Sequence, residues 1–123
     1  MIQISEAESH VMQVLWQQAP RSAEDVVAAL ADTGWAEATI KTLLNRLLNK
    51  GAITADKDGR RYLYAPAIAR DAWMLEESRS LLERLFDGRV APLVAHFSQH
   101  RKLGAEDVAQ LRQLLKELDD DQS

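Results

Sequence analysis

Between Ala38 and Gly51 the chain sets out Thr39, Lys41, Thr42, Asn45, Arg46 and Asn49 with no carboxylate among them. Hydroxyl, carboxamide, ammonium and guanidinium groups can hydrogen-bond base edges and neutralise phosphates, and an interposed acid would repel DNA. Thr39, Thr42 and Asn45 recur about one helical turn apart, which suits base edges. Lys41 and Arg46 can take either guanine or phosphate. A second basic set follows in the run Asp-Lys-Asp-Gly-Arg-Arg at 56–61, where Lys57, Arg60 and Arg61 are expected to reach phosphate or the minor groove. Arg21, just ahead of a second helix, is a further candidate phosphate contact, helped by that helix's free amides.

These side chains need a scaffold, and the sequence predicts one. Ile40, Leu43, Leu44, Leu47 and Leu48 fall at three- and four-residue spacing, so the segment that carries the polar set is an amphipathic helix with its apolar face turned inward. Gly51 ends it in the left-handed conformation. Ile-Thr-Ala at 53–55 and Tyr-Leu-Tyr at 62–64 alternate like paired strands, with Asp58-Gly59 expected at the centre of the turn, both residues at positive φ. Upstream, Ser5 with Glu8 and Ser22 with Asp25 read as capping boxes that open two helices. The first carries Val11, Met12, Leu15 and Trp16 inward and ends near Pro20. The second carries Val26, Val27 and Leu30 and breaks at Asp32-Thr33-Gly34. Three helices and a hairpin in this order make a winged helix-turn-helix.

After Pro66 only helices are expected, over 69–86, 91–99 and 105–118. Leu75, Leu82, Leu85, Phe86, Val108, Leu111, Leu115 and Leu118 are more apolar surface than a tail of this length can shelter by itself. Packing against a second copy would cover it, so a homodimer is expected, with a DNA-binding domain over 1–68 and a helical dimerisation domain over 69–123. The fold class is thus mostly α with a small β-hairpin wing. The last residues, 119–123, read as a solvated, frayed end. Tyr62 and Tyr64, together with Trp16, Trp35 and Trp73, read as core or interface packing.

Composition sets the outer bounds. The 123 residues, 46% of them hydrophobic, suffice for one modest core, and the net charge is −4. Residues 37–64 hold six basic and three acidic residues, a local +3, while the remainder holds nine and sixteen, or −7. Such a distribution leaves one surface that phosphates can dock on an otherwise acidic body. The absence of cysteine excludes disulfides and thiolate metal sites. No apolar run is long enough to span a bilayer and no signal peptide opens the sequence, so a cytoplasmic protein without membrane insertion is expected. His96 and His100 have a spacing that can bind zinc, but no clear third ligand accompanies them, and no metal or other cofactor is expected. No nucleophile constellation or phosphate loop suggests an enzyme. A protein-interaction module and a small-molecule-sensing regulator are the competing classes.

The runs Ile-Ser-Glu-Ala-Glu (4–8), Val-Met (11–12), Leu-Trp (15–16), Thr-Ile-Lys-Thr-Leu-Leu-Asn-Arg-Leu (39–47), Lys-Gly (50–51), Gly-Arg (59–60) and Tyr-Leu-Tyr-Ala-Pro (62–66), in this order, resemble the BlaI/MecI/CopY penicillinase-repressor family. The similarity continues through 80–88 and 103–115. It implies a homodimeric winged-helix repressor on an inverted-repeat operator before antibiotic-resistance, metal-handling or stress genes. The missing cysteines speak against the copper-responsive branch. In the β-lactam-responsive branch a membrane sensor protease cuts an Asn-Phe bond, and the matching position here is His96-Phe97, where the phenylalanine is kept and the asparagine is not. Where the family often has Ser-Pro before the reading helix, this chain has Ala36-Glu37.

Overall fold

Two serines start the first two helices by the same device. The Glu8 amide donates to Ser5 Oγ at 3.1 Å while the Ser5 amide donates to the Glu8 carboxylate at 2.9 Å. Ser22 and Asp25 repeat the exchange at 3.1 and 3.2 Å. Each box satisfies amides that the helix geometry leaves without partners. In the computed structural model, which describes residues 2–122, the order is α1 (Glu6–Gln17), β1 (Arg21–Ser22), α2 (Ala23–Ala29), a 3-10 turn over Ala31–Thr33, α3 (Glu37–Lys50), β2 (Ile53–Asp58), β3 (Arg61–Pro66), α4 (Arg70–Phe86), α5 (Val90–Gln99) and α6 (Ala105–Gln122). The chain is mostly helical, with one small antiparallel sheet of strand order β1-β3-β2.

The core forms where the three apolar helix faces meet the base of the wing. Val11, Met12 and Leu15 of α1, Val26 of α2, Ile40, Leu43, Leu44 and Leu47 of α3, and Ala52 and Ile53 beyond it are all buried. Leu48, at the edge of the α3 stripe, is half-buried, as are Trp16 and Trp35. Trp73 meets Trp16 with ring centroids 5.4 Å apart, and Trp16 Nε1 donates to the Ile68 carbonyl at 3.0 Å. Gly51, at φ 79°, closes α3, and the Ala52 amide donates back to the Leu47 carbonyl at 3.0 Å, so the chain reverses directly into β2.

A charge pair ties the start of α1 to the end of α3. Glu8 is only 1% exposed, and the Lys50 ammonium, from the last turn of α3, donates to its carboxylate and to the Gln3 carbonyl. Burial pushes the Glu8 carboxyl up, but the bonds from Lys50 and Ser5 outweigh it and hold the group below the usual carboxylate value.

Three details differ from the sequence expectation. β1 was not foreseen: two residues, Arg21 opposite Tyr64 and Ser22 opposite Leu63, extend the hairpin to a three-stranded sheet. The turn is centred one residue later than expected. Asp58 pairs with Arg61, so Gly59 and Arg60 form the two-residue loop, and only Gly59 has positive φ, at 66°. That is the Gly-X pattern of a type II′ connection, in which one positive φ suffices to match the strand twist. Finally, α6 continues to Gln122, because nothing between Leu118 and there breaks a helix; Ser123 lies outside the described residues.

The chain divides into two compact units, one through Met74 and one from Leu75. In the second, no residue of α5 or α6, nor of the α4 segment from Leu75, is fully buried. Leu75, Leu85, Val108, Leu114, Leu115 and Leu118 are exposed, and Leu82, Phe86 and Leu111 are half-buried. No helix of the described residues is long and apolar enough to cross a membrane.

Candidate nucleic-acid interface

Burial of Ile40, Leu43, Leu44 and Leu47 forces the opposite side of α3 outward. Thr39, Lys41, Thr42, Asn45, Arg46 and Asn49 are all exposed. Their neighbours decide what each can offer. Thr39, Asn45 and Arg46 make no side-chain hydrogen bond or ion pair among the described residues, so every donor they carry is available to a ligand. Thr42 donates its hydroxyl to the Ala38 carbonyl at 2.9 Å. Lys41 pairs with Glu37 one turn earlier, Nζ to Oε1 3.1 Å. The hydrogen bond to Glu37 and then its charge raise the lysine's pKa, and Glu24 and Tyr64 add to this, so Lys41 is firmly cationic.

The wing carries the second basic group. All of Lys57, Arg60 and Arg61 are exposed. Arg61 reaches across the turn to Asp58 at 3.4 Å, a weak surface pair that fixes the arginine more than it stabilises the fold. Lys57 and Arg60 have no such partner among the described residues. Because β3 runs back past α2 and α3, the wing and the reading helix form the walls of one groove of about 320 Å³. Lys41 and Asn45 line it from the helix, Arg60, Arg61 and Tyr62 from the wing, and Glu24 from α2.

The structure thus gathers Lys41, Asn45, Arg60 and Arg61, and sets Thr39, Thr42 and Arg46 along the same helix outside the groove. Arg21 is separate. Its Nε donates to the Gln18 carbonyl at 2.8 Å, and it lines a different hollow with Gln18, Pro20 and Asp25. Of the α2 amides near it, that of Asp25 is already engaged by the Ser22 box. Tyr64 packs against the core as expected, whereas Tyr62 is 51% exposed and belongs to the groove instead, since it sits nearer the strand end, beyond the reach of the core. Glu24 and Glu37 were not foreseen as groove and helix-face neighbours. The four-residue spacing of Glu37 and Lys41 was a signal for their pairing.

In the second unit His96 and Phe97 lie exposed on α5. The His96 ring sits 4.7 Å from that of His100 and 6.0 Å from that of Phe86. No group of three or more metal-ligating side chains occurs among the described residues.

An amphipathic helix with an exposed, partly uncommitted polar face, held beside a basic two-stranded wing on a three-helix core, defines a winged-helix DNA-binding domain. Residues 4–117 match the model of the penicillinase repressor family, and the chain belongs to that family of DNA-binding transcription regulators, which are not enzymes. It is 35% identical to the penicillinase repressor of Bacillus licheniformis over 116 residues, covering 94% of this chain and 91% of that one. It is 27% identical to the methicillin resistance regulatory protein MecI of Staphylococcus aureus strain N315 over 114 residues, 92% and 93% of the two chains. Among solved structures it resembles the Bacillus licheniformis BlaI monomer in complex with the blaP half-operator. That match has 40% identity and a TM-score of 0.51, and covers 58% of this chain and 89% of the other.

Proposed function

We propose that the protein is a homodimeric repressor that occupies an inverted-repeat operator through residues 1–68 and is held together by residues 69–123. The observation that carries this reading is the exposed face of α3, where Thr39, Asn45 and Arg46 have no partner among the described residues, beside the wing cations Lys57 and Arg60. Similarity to a chain solved on a half-operator supports the same reading. Each α3 would enter a major groove, with Thr39, Thr42 and Asn45 at base edges and Lys41 and Arg46 on guanine or phosphate. The wing residues Lys57, Arg60 and Arg61 would take backbone phosphates, and Arg21 an outer one. Selection of duplexes from a random pool, followed by a salt titration, tests it. The expected winner is twofold symmetric, and its log affinity falls with log salt at about −0.9 per phosphate neutralised. A pool without enrichment, bound weakly even at low salt, would sink the reading and leave a protein partner for the winged helix.

Dimerisation is supported by the apolar surface that the second unit leaves uncovered. Leu75, Leu85, Val108, Leu115 and Leu118 are exposed in a single chain, and water around them is released only when another apolar surface covers them. With Leu82, Phe86 and Leu111 they would form the contact. Leu115→Ala removes a side chain that is 60% exposed in the single chain, so the first unit should melt unchanged. The dimer dissociation constant should rise roughly tenfold or more. Sedimentation equilibrium reads this directly, and an unaltered constant would remove Leu115 from the contact.

The relatives' names support targets in antibiotic resistance, with stress genes as the broader class. Release would follow from cleavage at His96-Phe97 by a membrane sensor protease in the cytoplasm. A protease needs extended chain, and α5 has no fully buried residue to hold it closed, so local opening there is cheap. Mass spectrometry of the protein from β-lactam-treated cells should find a fragment ending at His96. Derepression with the chain intact would exclude this route.

A further inference from the structure

Glu37 is an odd residue to find at the start of a helix that meets a polyanion. It lies in the first turn of α3, exposed, and its only charged neighbour within bonding distance among the described residues is Lys41, 3.1 Å away and one turn further along the same flank. A carboxylate here weakens contact with any phosphate, so it lowers affinity for DNA in general. What it adds is an acceptor next to a donor, at a fixed spacing, at the end of the helix that meets base edges.

The geometry points to Glu37 as a specificity-determining residue that, with Lys41, selects a G·C pair in each half-site. This rests on the proposed operator-binding role of α3. In the major groove guanine shows two adjacent acceptors, N7 and O6, and its partner cytosine shows one donor, N4. O6 and N4 are hydrogen-bonded to each other, about 3 Å apart, which matches the lysine-to-carboxylate spacing. Lys41 then donates to O6 and N7 while Glu37 accepts from N4. An A·T pair fits less well because its acceptors, adenine N7 and thymine O4, lie on either side of the N6 donor, so a single ammonium cannot take both. Glu24 also faces Lys41, from α2. It lines the groove beside Lys41 but belongs to α2, outside the helix proposed to enter the major groove, so the base-facing role falls to Glu37 on α3 itself.

Selection from a random duplex pool is to be run with the parent protein and with Glu37→Gln, together with affinity for a random duplex at one salt concentration. The parent should enrich G·C at one position per half-site. In the variant that preference should fall by about 5- to 150-fold and move toward A·T, since a glutamine carboxamide suits adenine N6 and N7. Affinity of the variant for the random duplex should rise, because a charge facing the phosphates is gone. A residue serving only as a first-turn helix stabiliser would leave the selected half-site unchanged, whatever the gain in random-duplex affinity. Identical selected half-sites for the two proteins, with a symmetric site still present, would overturn the role of Glu37 and leave operator binding intact. Failure of both proteins to enrich any site would overturn both.

Discussion

Lys50→Met is expected to lower stability by about 1–3 kcal/mol at neutral pH. Removing one partner of a buried ion pair costs about 3–5 kcal/mol, because the other charge is left uncompensated. The lysine side chain here is 38% exposed, which screens the pair and reduces that figure. The pH dependence identifies the cause. In the parent the Glu8 carboxyl is held below its usual value, so its contribution is fully present above about pH 4.5 and is lost as the pH falls through the lower folded-state value. Without Lys50 the strongest influence lowering the carboxyl is gone while burial remains, so its folded-state value rises relative to the parent. The variant should then gain stability relative to the parent as acid protonates Glu8. Urea unfolding at pH 7 and at pH 4 measures this. A loss of equal size at both would mean that Lys50 acts through packing or through its bond to Gln3, and not through the carboxylate.

Arg46→Ala should produce the opposite pattern, with binding lost and stability kept. Arg46 is exposed and has no partner among the described residues, so its removal should change unfolding free energy by less than about 0.5 kcal/mol. If the guanidinium takes guanine, affinity for the selected operator should fall by about 1–3 kcal/mol while binding to random DNA changes less. If it takes phosphate, binding should weaken on all sequences and the salt slope should shrink by about one. Titration of both duplexes across a salt series separates the cases. Unchanged affinity on both would take Arg46 out of the interface.

What was legible in advance follows from how local the cause is. The capping boxes at Ser5 and Ser22 span three residues, and the α3 stripe repeats within its own helix, so each could be read without the rest of the chain. The membership in a family of winged-helix repressors was equally readable from its runs of residues. β1 had no such signal, since two residues pairing with Leu63 and Tyr64, some forty positions on, show no period of their own. The Glu8 to Lys50 bond spans 42 residues and exists only because the core brings the start of α1 to the end of α3. The turn centre was misplaced for a subtler reason. Both Asp-Gly and Gly-Arg are acceptable hairpin dipeptides, and the pairing of Asp58 with Arg61 decides between them. Within the interface, side-chain types could be listed from the sequence, but not which of them were already engaged. Among the described residues Thr42 and Lys41 have partners, and Thr39, Asn45 and Arg46 do not.

The uncovered leucines of α4 and α6 bear on gene dosage. If half of the chain completes its packing only on meeting a copy of itself, operator occupancy follows mass action in two molecules. Below the dissociation constant of the pair, the binding species varies with the square of the total protein. Halving the supply, whether by slower synthesis or by destruction of one copy in two, then removes about three quarters of it. A promoter under such control responds more steeply than one silenced by a monomer, and a titration of reporter output against repressor level would show that curvature.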